Sequence, residues 1–256
     1  CTPDGSGGYG CTYTPVDIDC GLDGRVCVSG GVCSHTLQAV RAAADGAFTP
    51  PRNVRDLFVT YVRPAGAADN GFYAQEAPTG PGLFFPTGTA APTVAAGNTI
   101  SVTIDRVASF HGRKQAASFA IDENDGLTPS VAPWVQNLSA GGAVDESTES
   151  ELVRVAGATL EGGTGTTWTI AYGASGATTV VFAGFDSLVP APCVGMVLDV
   201  QAPAGEYDGL YELTAFADGD FSGLDASGCA ADDDSNLDFE SWGVSVDPPE
   251  DFLKTP

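Results

Sequence analysis

The chain writes one pattern twice. Five short runs rich in aromatic or β-branched residues, "VRDLFVTYVRP", "NGFYAQE", "PGLFFPTG", "NTISVTIDRVASF" and "GRKQAASFAI", are bounded by Gly, Pro or Asn. Five more, "SELVRVAGATLE", "TTWTIAYG", "ATTVVFAG", "CVGMVLDVQAP" and "GLYELTAFA", follow in comparable order and length. In the first run Leu57, Val59 and Tyr61 alternate with Phe58, Thr60 and Val62, the period of a strand covered on much of both faces. Five strands in so short a span are expected to curl into a small closed or nearly closed sheet, because closure removes their unpaired edges. The last strand of each set carries the same phrase, "SFHGRKQAASFAI" from Ser109 and "EYDGLYELTAFAD" from Glu206, so the reading is one fold present twice. Gly112 and Gly209 are expected where that strand bends or bulges to close the sheet. Ahead of the first set, "SHTLQAVRAAADG" predicts a short helix with Ser34 as cap, Leu37, Val40 and Ala44 along one face, and Gly46 as its stop.

Composition agrees with an all-β chain: 33 glycines and 17 prolines favour turns over long helices. This divides the sequence into a cysteine-rich segment over 1–34, a first barrel over 35–128, a second over 129–225, and an acidic tail over 226–256. The net charge of −23 comes from 33 acidic against 10 basic residues. Such a balance repels nucleic-acid backbones and anionic lipid, so nucleic acid is not expected as a partner. No apolar run is long enough to cross a bilayer. Seven cysteines point to an oxidising compartment. Cys11, Cys20, Cys27 and Cys33 are close enough in sequence to pair among themselves, which leaves Cys193 with Cys229; the spacing lacks the close pairs of a zinc site.

A chain that opens with Cys1 followed by "TPDGSGGYG" resembles a bacterial lipoprotein after signal-peptide removal, in which the first cysteine carries the lipid. The resemblance implies an extracellular or outer-membrane surface location, with the periplasm as alternative. The positions Gly71–Gln75, Gly97–Val102 and Phe110–Gln115 resemble the OB-fold-like modules of large extracellular bacterial nucleases and other secreted proteins, and the likeness runs over about residues 37 to 225. Asn98 departs from the acid usual in that pattern. The resemblance implies two tandem five-stranded OB-fold-like barrels without the family's nuclease domain.

Candidate sites are few. Arg106, His111, Arg113 and Lys114 form the one basic cluster and could gather on a barrel edge, where OB folds take up oligonucleotides or sugars. The aromatics Phe72, Tyr73, Phe84 and Phe85 alternate along strands, so about half face the core and an exposed remainder could hold a sugar ring or a partner. Asp218, Asp220, Asp225, Asp232, Asp234, Asn236 and Asp238 have the alternate oxygen spacing of calcium loops without the full EF-hand order, and make structural Ca2+ the one cofactor to consider. "GSGGYG" matches a dinucleotide-binding pattern in form only, since it follows no strand and opens no helix. No histidine-centred, serine-elbow or phosphate-loop motif is present. The expected role is therefore a non-enzymatic, lipid-anchored module for protein interaction or self-assembly, with a carbohydrate- or oligonucleotide-binding OB module as the alternative.

Overall fold

Each set of five runs closes on itself. The computed structural model describes residues 2–3, 9–10, 25–28, 32–64, 70–164, 166–183 and 188–229. Small antiparallel ladders near the N-terminus pair β1 (Thr2–Pro3) with β2 (Tyr9–Gly10), and β3 (Arg25–Val28) with β4 (Val32–His35). The helix α1 spans Leu37–Arg41. Its cap is Thr36 rather than Ser34: Thr36 Oγ1 accepts the Ala39 amide, while the Ser34 hydroxyl is held by the Arg55 amide at the end of β4. Gly46 does not stop the helix, which has ended by Ala42, but begins the next strand.

The first barrel consists of β5 (Gly46–Val62), β6 (Asn70–Gln75), β7 (Gly82–Gly88), β8 (Thr99–Phe110) and β9 (Arg113–Asn124), closed in the order β5-β6-β7-β9-β8. Alternate residues point inward, and Phe72, Phe85, Ile100, Val102 and Ile104 fill the core with Leu37 and Val40 of α1 packed among them. Phe72 and Phe85 stack at 4.9 Å between ring centres, and Phe119 meets Phe85 edge-on. Asn98, at the entry to β8, accepts from the Ala95 amide and donates to Leu127 O at 2.6 Å. An ionised acid at this position could not donate to that carbonyl.

After the two-residue β10 (Gln136–Asn137), the second barrel repeats the order with β11 (Leu152–Thr164), β12 (Thr167–Tyr172), β13 (Ala177–Ala183), β14 (Val197–Tyr207) and β15 (Leu210–Ala215). Pairing of β11 with both β12 and β14 closes the ring, and β16 (Phe221–Asp225) adds to the outside of β14. In both barrels the third and fifth strands run parallel, as Phe84 against Gln115 and as Val180 against Glu212. The protein is all-β with two closed five-stranded OB-like barrels, and a disulfide joins Cys193 to Cys229 against the second core.

The barrels are packed together by the segment that joins them. Trp134 stacks on Phe58 of β5 at 4.4 Å, and the Leu152 amide donates to Gln75 Oε1. The backbone at Ser150 lies so close to Gly82 that a Cβ there would overlap it. Consequently Tyr73 and Phe84, which point away from the first core, are as buried as Phe72 and Phe85. The expectation that some of these four rings face solvent is corrected, because the second half of the chain covers the outer face of β6 and β7.

Candidate functional site

The repeated phrase lies at the junction of the barrels. In each copy its glycine sits in a two-residue hairpin turn: His111 and Gly112 join β8 to β9, and Asp208 and Gly209 join β14 to β15. All four have positive φ, at 52, 96, 51 and 86° in that order, as a type I′ turn requires. The glycines thus sit in the tight turns that lead into the last strands, where the sequence predicts a bend or bulge of the strand itself.

The two turns dock on each other. The Asp208 amide donates to His111 O at 2.7 Å, His111 Nδ1 lies 2.9 Å from Asp208 Oδ1, and Gly112 bridges to Tyr207. The His111 ring stacks on Tyr207 at 4.2 Å with an interplanar angle of 15°.

Beside the docked turns opens a cleft of about 470 Å³. Its rim is apolar: Phe110, Tyr207 and Leu210 flank the turns and are each about half exposed. Arg63 and Arg113 line it from the first barrel, and Glu206, Glu212 and Thr214 from the second. Both guanidinium groups lie over the Phe84 ring, at 4.1 and 4.5 Å from its centre, and both donate to the Tyr73 hydroxyl. Arg63 also covers Phe216 at 4.4 Å. Burial pushes the Glu212 carboxyl up, opposed by the Thr214 hydroxyl and the Arg113 charge. The arrangement offers flat apolar surface for a ring, together with donors and acceptors for the ring's edge.

Of the basic residues singled out from sequence, Arg113 enters this cleft and His111 backs its Tyr207 wall. Lys114 turns away to Asp45 Oδ1 at 2.6 Å and Ala43 O, and the exposed Arg106 is not among the cleft's lining residues. Arg63 carries no motif, and Glu206, Tyr207, Leu210 and Glu212 lie in the repeated phrase without being singled out there as site residues; the signal that could have found the place was the repeat itself, with its aromatic before each turn.

Among the described residues, the acidic candidates Asp218, Asp220 and Asp225 do not form a metal-holding group. Asp220, in a single 3-10 turn over Asp218–Asp220, accepts from the Tyr61 hydroxyl at 2.7 Å and from the amides of Phe216 and Ala217, so it ties the barrels together. Burial nonetheless pushes its carboxyl up. Asp225 accepts the Ser227 amide within its own turn. Among the described residues, three acidic groups with oxygens within 4.8 Å of one another are Glu146, Glu149 and Glu206. Cys33 is disulfide-bonded and faces Cys27 in the ladder register. Cys1, Cys11, Cys20, Asp232, Asp234, Asn236 and Asp238 lie outside the described residues.

No protein-family model and no curated protein matches the chain. Among solved structures it is similar to fission yeast Pot1 with ssDNA, at 10% identity and a TM-score of 0.37 over 80% of this chain and 92% of that one. It is similar to the Ifi202 HINa domain in complex with 20bp dsDNA, at 11% identity and a TM-score of 0.35 over 67% and 94%. The p204 HINb domain follows at 11% identity and a TM-score of 0.28 over 67% and 93%. Two of these structures hold DNA, so the expectation against nucleic acid as a partner is withdrawn; a likeness of this degree assigns no partner to this chain. The physical reason is one of scale: a net charge summed over the chain does not fix the potential inside one cleft, and this cleft is lined by two guanidinium groups set against two carboxylates.

Proposed function

We propose that this protein is a non-catalytic binding module that takes up a carbohydrate chain in the cleft between its two barrels. The observation that carries the reading is the Phe110–Tyr207–Leu210 rim set beside interleaved guanidinium and carboxylate groups. The C–H face of a sugar ring docks on flat aromatic surface, and its hydroxyls can donate to Glu206 and Glu212 while accepting from Arg63 and Arg113. His111 is engaged by Asp208 and Tyr207 in holding the turns together, a positioning role. The proposal sets the module in an oxidising, extracellular compartment, which the Cys193–Cys229 disulfide supports.

A second reading is favoured by the guanidinium pair: a phosphodiester could accept from Arg63 and Arg113 while a base stacks on Tyr207. Titration of the full chain with a panel of neutral and uronate-containing oligosaccharides, and with a ten-residue oligothymidylate, separates the two. The expected result is oligosaccharide binding that changes little with salt and weakens about tenfold or more in Tyr207→Ala. Oligothymidylate binding with a steep salt dependence, and none to sugars, would replace the first reading with the second. Binding of neither would sink both.

A further inference from the structure

A second cavity, of about 800 Å³, opens where α1 meets the segment ahead of β11, and its walls include Gln38, Arg41, Glu146, Glu151 and Tyr211. Tyr211 points to the opposite face of β15 from Leu210 and Glu212, so this cavity is distinct from the cleft described above.

Its charges do not balance. Arg41 pairs with Glu146 at 3.0 Å and Glu149 at 3.6 Å, and Glu149 Oε1 also accepts the Lys114 amide. Glu151 adds a further carboxylate, 1% exposed, whose Oε2 accepts no hydrogen bond among the described residues. A buried acceptor without a donor is costly, and an ionised one more so. Burial pushes the Glu151 carboxyl up to about 7, with the Arg41 charge opposing.

We propose that this cavity binds an organic ammonium group, with Glu151 as its buried counter-ion and Glu146 as a second, exposed one. An ammonium carries three N–H donors and one positive charge, the two things that the Glu151 carboxylate lacks while Arg41 is spent on Glu146 and Glu149. Tyr211, whose hydroxyl donates to Glu146 Oε2, supplies an aromatic wall of the kind that attracts a cation. A bare divalent ion fits less well, because it seeks six to eight oxygens and Glu149 is already engaged by Arg41 and the Lys114 amide. The cavity is large enough for a flexible amine such as a polyamine or a lysine side chain.

The test is calorimetric titration of the full chain with spermidine at pH 8, with 1,4-butanediol as the uncharged control and calcium chloride as the metal alternative. One spermidine per chain is expected, with affinity lowered at least tenfold by Glu151→Gln and severalfold by Glu146→Gln. The latter side chain is 72% exposed, so its replacement leaves the fold intact. Glu161→Gln, an equal charge change at an exposed position, is expected to have no effect. Weak binding at many sites that Glu151→Gln leaves unchanged would overturn the proposal, as would butanediol binding as well as spermidine. So would a single calcium ion that depends on Glu146 and Glu149 and that spermidine does not displace.

Discussion

Glu151 is an almost wholly buried carboxylate on the wall of a cavity, and its effect on stability has a definite sign. Its carboxyl stands at about 7 in the folded chain, against an ordinary value of 4.5. Between those values the folded state keeps a proton that the unfolded state releases. The stabilisation is therefore fully present below the ordinary value and is lost as pH rises through the folded one. We predict that the melting temperature of Glu151→Gln, which cannot ionise, gains on the wild type between about pH 5 and about pH 8. The gain should approach a ceiling on the order of 3 kcal/mol, measured by thermal melts in matched buffers. A constant gap across that range would show that the side chain does not titrate there. None of this was legible in the sequence. Glu151 belongs to the acid-rich run "DESTESE", where solvated charge is the ordinary reading, and its burial comes from packing against residues far away in the chain. Phe84 gives the converse lesson: its outward position on β7 followed from alternation, but the partner that covers it did not.

The two hairpin turns share a conformation but differ in their surroundings, which makes them a controlled pair. A Cβ added at Gly209 meets nothing within 4 Å, whereas one at Gly112 would collide with the Glu206 carboxylate. Gly209→Ala should therefore cost about 1 kcal/mol, the backbone strain alone. Gly112→Ala should cost the same strain and only a little more, under about 1 kcal/mol, because the atoms in its way are the end of the flexible Glu206 side chain, which can swing aside. Urea unfolding of the two variants gives the difference directly, and a cost for Gly112→Ala several kcal/mol above that of Gly209→Ala would mean that the Glu206 carboxylate cannot move aside. The ten main strands were readable because a period of two is a local property, and the "HG" and "DG" dipeptides are local turn signals. That the turns meet is a long-range fact with no such signature. The same holds for the cleft, whose residues lie at strand ends contributed by both halves of the chain.

At the scale of the whole molecule, the Cys193–Cys229 disulfide ties the approach to β14 to the chain just past β16, across a sequence separation of 36 residues. By loop-closure entropy, the paired replacement of both cysteines by serine should lower stability by about 4 kcal/mol, read by urea unfolding under non-reducing conditions. An unchanged midpoint would show that the packing of Leu188, Met196 and Phe221 holds this corner unaided. The acidic surplus acts at this scale too, as a repulsion between copies of the chain that does not dictate what a single recess accepts.

The span between the barrels is mortar rather than rope. Its Trp134 is seated on Phe58, and the backbone at Ser150 fills the space beside Gly82. A protease nick within it would leave one particle with a cut in it instead of two free halves. Either half made alone would carry a raw, greasy scar where its sibling had been.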